Sequence, residues 1–284
     1  MNRITRRTVS HAMLATLWLG RPWSLGTPAL AAARHAPGFG NHDLYALVGK
    51  STRLSVLVGR VARSQAQRAL EVLPAPAVTQ LAQSTQEAQR GLAELNAALA
   101  NSPAQAEMQA LAQTYGVFLK ANEGLNPKDH AALLRMARLA GPAVEAADLL
   151  TQLLVKHLGH PMARILGTTA DMQRLSQHLA ARFMMMRTGV SAQDKQEQSV
   201  AVAQGRELFA RNLDALRAAP LQTPAIQQRL LLLANQWLLM NESLGRTAQD
   251  VATMEHVCTT CERILEVLTQ LMPEYEAALR QLLG

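Results

Sequence analysis

The stretch TAQDVATMEHVCTTCERILEVLTQLMPEYEAALRQLL, residues 247–283, decides the fold class. Val251, Met254, Cys258, Cys261, Leu265, Leu268, Met272, Tyr275, Leu279 and Leu282 recur every three or four residues, which sets them on one stripe of an α-helix. A long helix with a single apolar stripe needs helical partners to cover it. Pro273 cannot donate to the backbone ladder and is expected to kink or restart this helix. The wider composition agrees: the 284 residues are 49% hydrophobic but only 4% aromatic, enough for a large core and better suited to helices than strands.

Upstream, turn residues in LPAPA, NSP, EGLNPKD, TGVSAQD, APLQTP and SLGRT divide the chain. The pieces predict helices over roughly 42–73, 77–100, 103–122 and 127–157, then 160–188, 191–218, 224–243 and 247–283. Short loops between amphipathic helices of this length imply up-down-up-down packing. The two sets also echo each other. NSPAQAEMQAL from Asn101 lines up with QTPAIQQRLLL from Gln222, 121 residues on; ANEGL at Ala121 and MNESL at Met240 match at 119, and LLTQLL at Leu149 and VLTQLM at Val267 at 118. Ser102 and Thr223 are the expected N-caps, with Pro103 and Pro224 at the first helical position. The expected architecture is all-α: two tandem antiparallel four-helix bundle modules, 42–157 and 158–284, from an internal duplication.

Residues 1–36 read as an address. TRRTVS carries twin arginines, Arg6 and Arg7, ahead of a short apolar run from Ala12 to Gly20 and the small residues Ala29 to Ala33. Cleavage is expected before Ala32 or Arg34, giving an exported, periplasmic protein. Residues 1–31 hold four arginines and no acid, so the formal charge falls from +7 to +3 without them. The remaining cations are scattered and lack interleaved aromatics, which argues against nucleic-acid binding.

The second half resembles the N-terminal domain of type IV pilus chemotaxis transducers (PilJ-type), which is similar to the sensor domain of NarX-like nitrate/nitrite kinases. The resemblance rests on ILGTTADMQRLSQHLAARFMMM (165–186), LDALRAAPLQTPAIQQRLLLLANQW (213–237) and CERILEVLTQLMPEYE (261–276). LVGKSTRLSVLVGRVA (47–62) makes the first half a weaker copy. The family's first helix carries A-G-x-x-R-M-x-S-Q-R, where Ser176 and Gln177 match, Gln173 takes the arginine's place and Ala170 replaces the glycine. The resemblance implies a small oxyanion, nitrate or nitrite, held between arginines of two first helices. Arg53 and Arg174, each before Leu-Ser and 121 residues apart, are the candidate pair, with Gln173, Ser176 and Gln177 beside them. The dull alternative is that both arginines snorkel to solvent. The family's membrane helices and cytoplasmic region are not in this sequence, so signalling is expected to pass through a membrane receptor or sensor kinase.

Other groups were weighed for chemistry. Cys258 and Cys261 sit mid-helix on the apolar stripe, so buried thiols are expected ahead of a local disulfide, and Glu262 stands where haem attachment requires histidine. His157, His160 and His178 lie near the start of the second half; His178 is expected to be a plain surface or inter-helix histidine, the alternative being that it senses pH or meets an anion when charged. Met184 to Met186 read as core filler rather than copper ligands. No enzymatic motif and no cofactor site is evident. The expected function is oxyanion sensing through a partner; the alternative is a cell-envelope adaptor without a small-molecule ligand.

Overall fold

The computed structural model describes residues 38–39, 42–159, 163–246 and 250–283. The twin arginines, the small-residue sites and His160 lie outside the described residues. Among the described residues eight α-helices account for the architecture: α1 Leu44–Leu70, α2 Pro74–Ala98, α3 Gln105–Asn122, α4 His130–His157, α5 Arg164–Met185, α6 Ala192–Arg217, α7 Pro224–Gly245 and α8 Val251–Leu283. They belong to one compact unit.

Local chemistry sets most ends. The Asp129 carboxylate accepts from Ala132 N at 2.9 Å and opens α4, Ser191 Oγ accepts from Asp194 N at 3.1 Å before α6, and Thr223 Oγ1 accepts from Ile226 N at 3.2 Å before α7. The expected cap at Ser102 does not form: α3 starts at Gln105 behind Ala104, with no side-chain cap. Asn101 adopts φ 62°, a tight turn directly after α2, and Ser102 Oγ is spent within it, donating to Leu99 O and accepting from Ala104 N. α8 does not restart at Pro273 but runs through it, as α4 runs through Pro142.

Helices α1 to α4 close one ring, each packing on its chain neighbour and α4 returning to α1; α5 to α8 close a second in the same order. Short connections make successive helices antiparallel. The rings meet where α1 packs on α5, with a smaller contribution from α4 against α5. α1 is therefore covered from three directions and buries polar as well as apolar residues, from Ser51 and Thr52 to Arg63, Ser64 and Gln65. Gly59 permits the approach: a Cβ there would stand 2.9 Å from Gln177 Cβ and 3.2 Å from the His178 ring. Tyr115 of α3 donates to the carbonyl of Leu54 at 2.9 Å, and Phe209 of α6 stacks on Trp237 of α7 with ring centroids 4.1 Å apart.

Candidate functional site

The α1–α5 junction holds every candidate residue. Arg53 of α1 forks onto Glu87 of α2, Nε to Oε1 at 2.6 Å and Nη2 to Oε2 at 2.8 Å. That fork holds the Glu87 carboxyl below its usual range, against the opposing effect of burial. Arg174 of α5 turns to other partners: its Nε lies 3.0 Å from Asp148 Oδ2 on α4, and its Nη2 donates to Asp171 Oδ1 at 3.4 Å. Asp148 also accepts from Ser55 Oγ at 3.0 Å. Ser55 is two residues from Arg53, about 200° around α1, so the two arginines reach α1 from different faces. The structure thus pairs each arginine with its own carboxylates and does not bring the two onto one anion. Neither is simply snorkelled to solvent; the Arg174 side chain is only 13% exposed.

The flanking polar residues point inward. Ser176 is fully buried and donates to Gln173 O at 2.7 Å. Gln177, also fully buried, donates from Nε2 to Cys261 O at 3.1 Å and accepts at Oε1 from Arg63 Nη1 at 2.7 Å. His178 donates to the carbonyl of Ser55 at 3.3 Å, which fixes its Nε2–H tautomer. Burial, helped by Arg174 and Arg182, pushes its pKa down to about 3. It is neutral at physiological pH, in keeping with a plain inter-helix histidine rather than a charged anion contact. Asp148 moves the other way, up to about 6, because burial outweighs the nearby Arg174.

The strongest polar centre is one that sequence reasoning passed over. Arg63 of α1 is completely buried. Its Nη2 meets Glu262 Oε1 of α8 at 2.6 Å and Gln80 Oε1 of α2 at 2.8 Å, and its Nη1 reaches Gln177 and, at 2.6 Å, Cys261 Sγ. Arg60 reinforces the carboxylate, donating to Glu262 Oε2 at 2.9 Å. Burial works against the Arg63 charge, but the Cys261 sulfur and the Glu262 carboxylate more than offset it, and its pKa rises. The signal was present: Arg63 follows Val56 and Gly59 at helical spacing, on the face that meets α5.

The cysteines are free and buried, as their place on the stripe predicted. Burial raises Cys258 to about 12 and Cys261 to about 11, so both are thiols at neutral pH. Met184 and Met185 are core residues. Among the described residues, no three His, Cys, Asp or Glu side chains are arranged to hold a metal ion.

Two clefts border the junction. One of about 440 Å³ is lined by Arg63, Gln67, Gln80, Cys258, Glu262 and Arg263. The other, about 640 Å³, joins Arg53 to Gln173, with Lys50, Glu87, Arg90 and Glu94 along its wall. There Lys50 is occupied by Glu94 at 2.7 Å. No family model, curated protein or solved structure matches this chain. No helix among the described residues is long and apolar enough to cross a membrane.

Proposed function

We propose that the chain is an exported, non-enzymatic adaptor of the cell envelope that works by docking helices and takes no small-molecule ligand. The observation that carries this reading is the commitment of the junction's cations: Arg53 to Glu87, Arg174 to Asp148 and Asp171, Arg63 and Arg60 to Glu262. An anion entering here would have to displace a carboxylate held at hydrogen-bond distance, losing about 1.5–3 kcal/mol per charged hydrogen bond. The twin arginines and small-residue sites support export to the periplasm, and the resemblance to pilus-type transducers supports a membrane receptor or sensor kinase as partner. The repeated ring connectivity supports internal duplication. The test is thermal unfolding in nitrate, nitrite and chloride at equal ionic strength. The three curves should coincide. A melting temperature raised by several degrees in nitrate, as ligand at 100 times its Kd would produce through about 2.7 kcal/mol, refutes the reading.

One observation favours a second reading, the oxyanion sensor. The larger cleft brings Arg53 and Gln173 together, and Arg90, exposed on its wall, is in no ion pair within 4.0 Å among the described residues. Nitrate-dependent stabilisation lost in both Arg53→Ala and Arg90→Ala, but retained in Arg174→Ala, is the result that selects it.

A further inference from the structure

Helix α7 carries an apolar face that no other helix covers. Leu231 (63% exposed), Leu232 (43%), Leu238 (66%) and Leu239 (41%) are all exposed, and among the described residues Leu238 and Leu231 are the two most exposed large apolar side chains. At 100° per residue they fall within a stripe about 120° wide, centred on the exposed Asn235, with Gln228 and Glu242 on the same line. From Leu230 to Asn241 no residue is charged. Helix α3, which holds the same corner of the first ring, turns Gln109, Gln113, Gly116 and Lys120 to solvent with a single exposed large apolar residue, Val117. The run of exposed leucines on α7 has no counterpart there.

The stripe is a palindrome. Leu232 and Leu238 stand three residues either side of Asn235, Leu231 and Leu239 four, and Gln228 and Glu242 seven. Self-complementarity of this kind is what an isologous two-fold contact requires, because each position must accept its mirror position on an identical surface. We infer that this face of α7 pairs with α7 of a second copy, antiparallel, about a two-fold axis at Asn235. Leu231 and Leu232 of one copy then interleave with Leu238 and Leu239 of the other on each side of the axis. The two Asn235 amides meet at the centre, donor to acceptor, and fix the register as a lone seam asparagine does in coiled coils. Gln228 of each copy reaches Glu242 of the other, so no like charges face each other. Glu242 is already turned toward Arg246 at 2.7 Å, which keeps that end neutral.

A lipid surface fits this face less well. Interfacial helices flank their apolar stripe with lysine and arginine, whereas this one has Gln228, Asn235 and Glu242 along its middle and Gln227, Ala234 and Gln236 beside it. α7 packs on α6 and α8 and lies diagonally across its ring from α5, so pairing leaves the α1–α5 junction undisturbed. One helix of 22 residues is a seam of roughly 33 Å, at the small end of specific interfaces, so association in the micromolar range is expected.

This inference rests on the docking reading. The test is sedimentation of the purified chain from about 1 to 200 µM, a range spanning such weak contacts. The parent should pass from monomer to dimer across it. Leu231→Gln/Leu238→Gln, which changes only solvent-facing side chains, should keep the parent's melting temperature and shift the midpoint at least tenfold. Oxidised glutathione should cross-link Asn235→Cys into a dimer but not Leu231→Cys, whose two copies lie about 12 Å apart along the axis, beyond disulfide reach. Cys258 and Cys261 are buried and should not contribute. A parent that stays monomeric, a double variant that dimerises like the parent, or equal cross-linking at both positions overturns the inference. So does a monomer whose α7 leucines bind phosphatidylglycerol vesicles. A monomer unaffected by nitrate removes only this inference, whereas stabilisation by nitrate removes the docking reading beneath it.

Discussion

Glu262→Gln removes the negative charge that Arg63 and Arg60 share and turns one acceptor oxygen into an NH2 donor. The Arg63 side chain it faces is 1% exposed and Arg60 14%, while Glu262 itself is 27% exposed at the smaller cleft, so two cations lose their counter-ion where water can replace it only in part. Orphaning one side of a buried pair costs about 3–5 kcal/mol. The low end applies here, because Arg63 keeps amide oxygens of Gln67, Gln80 and Gln177 as acceptors. A loss of about 3 kcal/mol in a chain of this size corresponds to about 6–12 °C in melting temperature. The assay is urea and thermal unfolding followed by circular dichroism. Glu94→Gln, which breaks the exposed pair with Lys50, serves as control and should unfold with the parent. Arg63→Met/Glu262→Gln should recover at least about 1 kcal/mol relative to Glu262→Gln, since an apolar replacement leaves less uncompensated charge. The pH dependence follows in sign. Arg63 and Arg60 overcome the opposing effect of burial and hold the Glu262 carboxyl below its usual 4.5, so its contribution is full above that pH and disappears as the pH falls through the folded value. A Glu262→Gln protein within about 1 kcal/mol of the parent at pH 7 would refute the claim that this pair holds α1 to α8.

Asp148, raised from 3.8 to about 6, makes stability fall as pH rises through that window, while His178, lowered from 6.5 to about 3, makes it rise. Urea unfolding between pH 4 and 6 should therefore show a steeper rise with pH in Asp148→Asn than in the parent, and a shallower one or a decline in His178→Gln; parallel profiles would contradict the burial of both groups. Gly59→Ala should cost about 1–3 kcal/mol, because the added carbon stands 2.9 Å from Gln177 Cβ where α1 packs on α5; unchanged unfolding would mean the rings separate freely there. Cys258 and Cys261 should resist a thiol reagent in the folded chain and react together on unfolding, and fast labelling of either in native buffer would contradict their burial.

The helical class and most of the breaks were legible because they depend on local chemistry. Period and punctuation are written residue by residue, as in the stripe of α8 and the Thr223-Pro224 start of α7. Ser102 looked the same as Thr223 in sequence and lies in a connection of the same six-residue length, yet its oxygen went to the turn at Asn101, whose backbone is left-handed. The site was harder to read. Arg53 and Arg174 share a sequence context, but their carboxylates, Glu87 and Asp148, come from helices 34 residues after one and 26 before the other. Which acid meets which base is settled by packing, not by spacing. Arg63 was passed over for a related reason: a cation among Val61, Ala62 and Ser64 resembles a surface residue until α8 supplies Glu262 from 199 positions away.

That distance bears on the order in which the chain can fold as it is made. α1 is among the first segments synthesised, yet its central cation has no carboxylate until the last helix exists. Until then the first ring must either keep that face of α1 wet or bury an uncompensated charge, so its completion waits on the C-terminus. A nascent chain stopped before α8 should consequently be open and protease-sensitive through α1, however well α2 to α4 are formed. The protein is built so that α1 is locked by a helix made long after it.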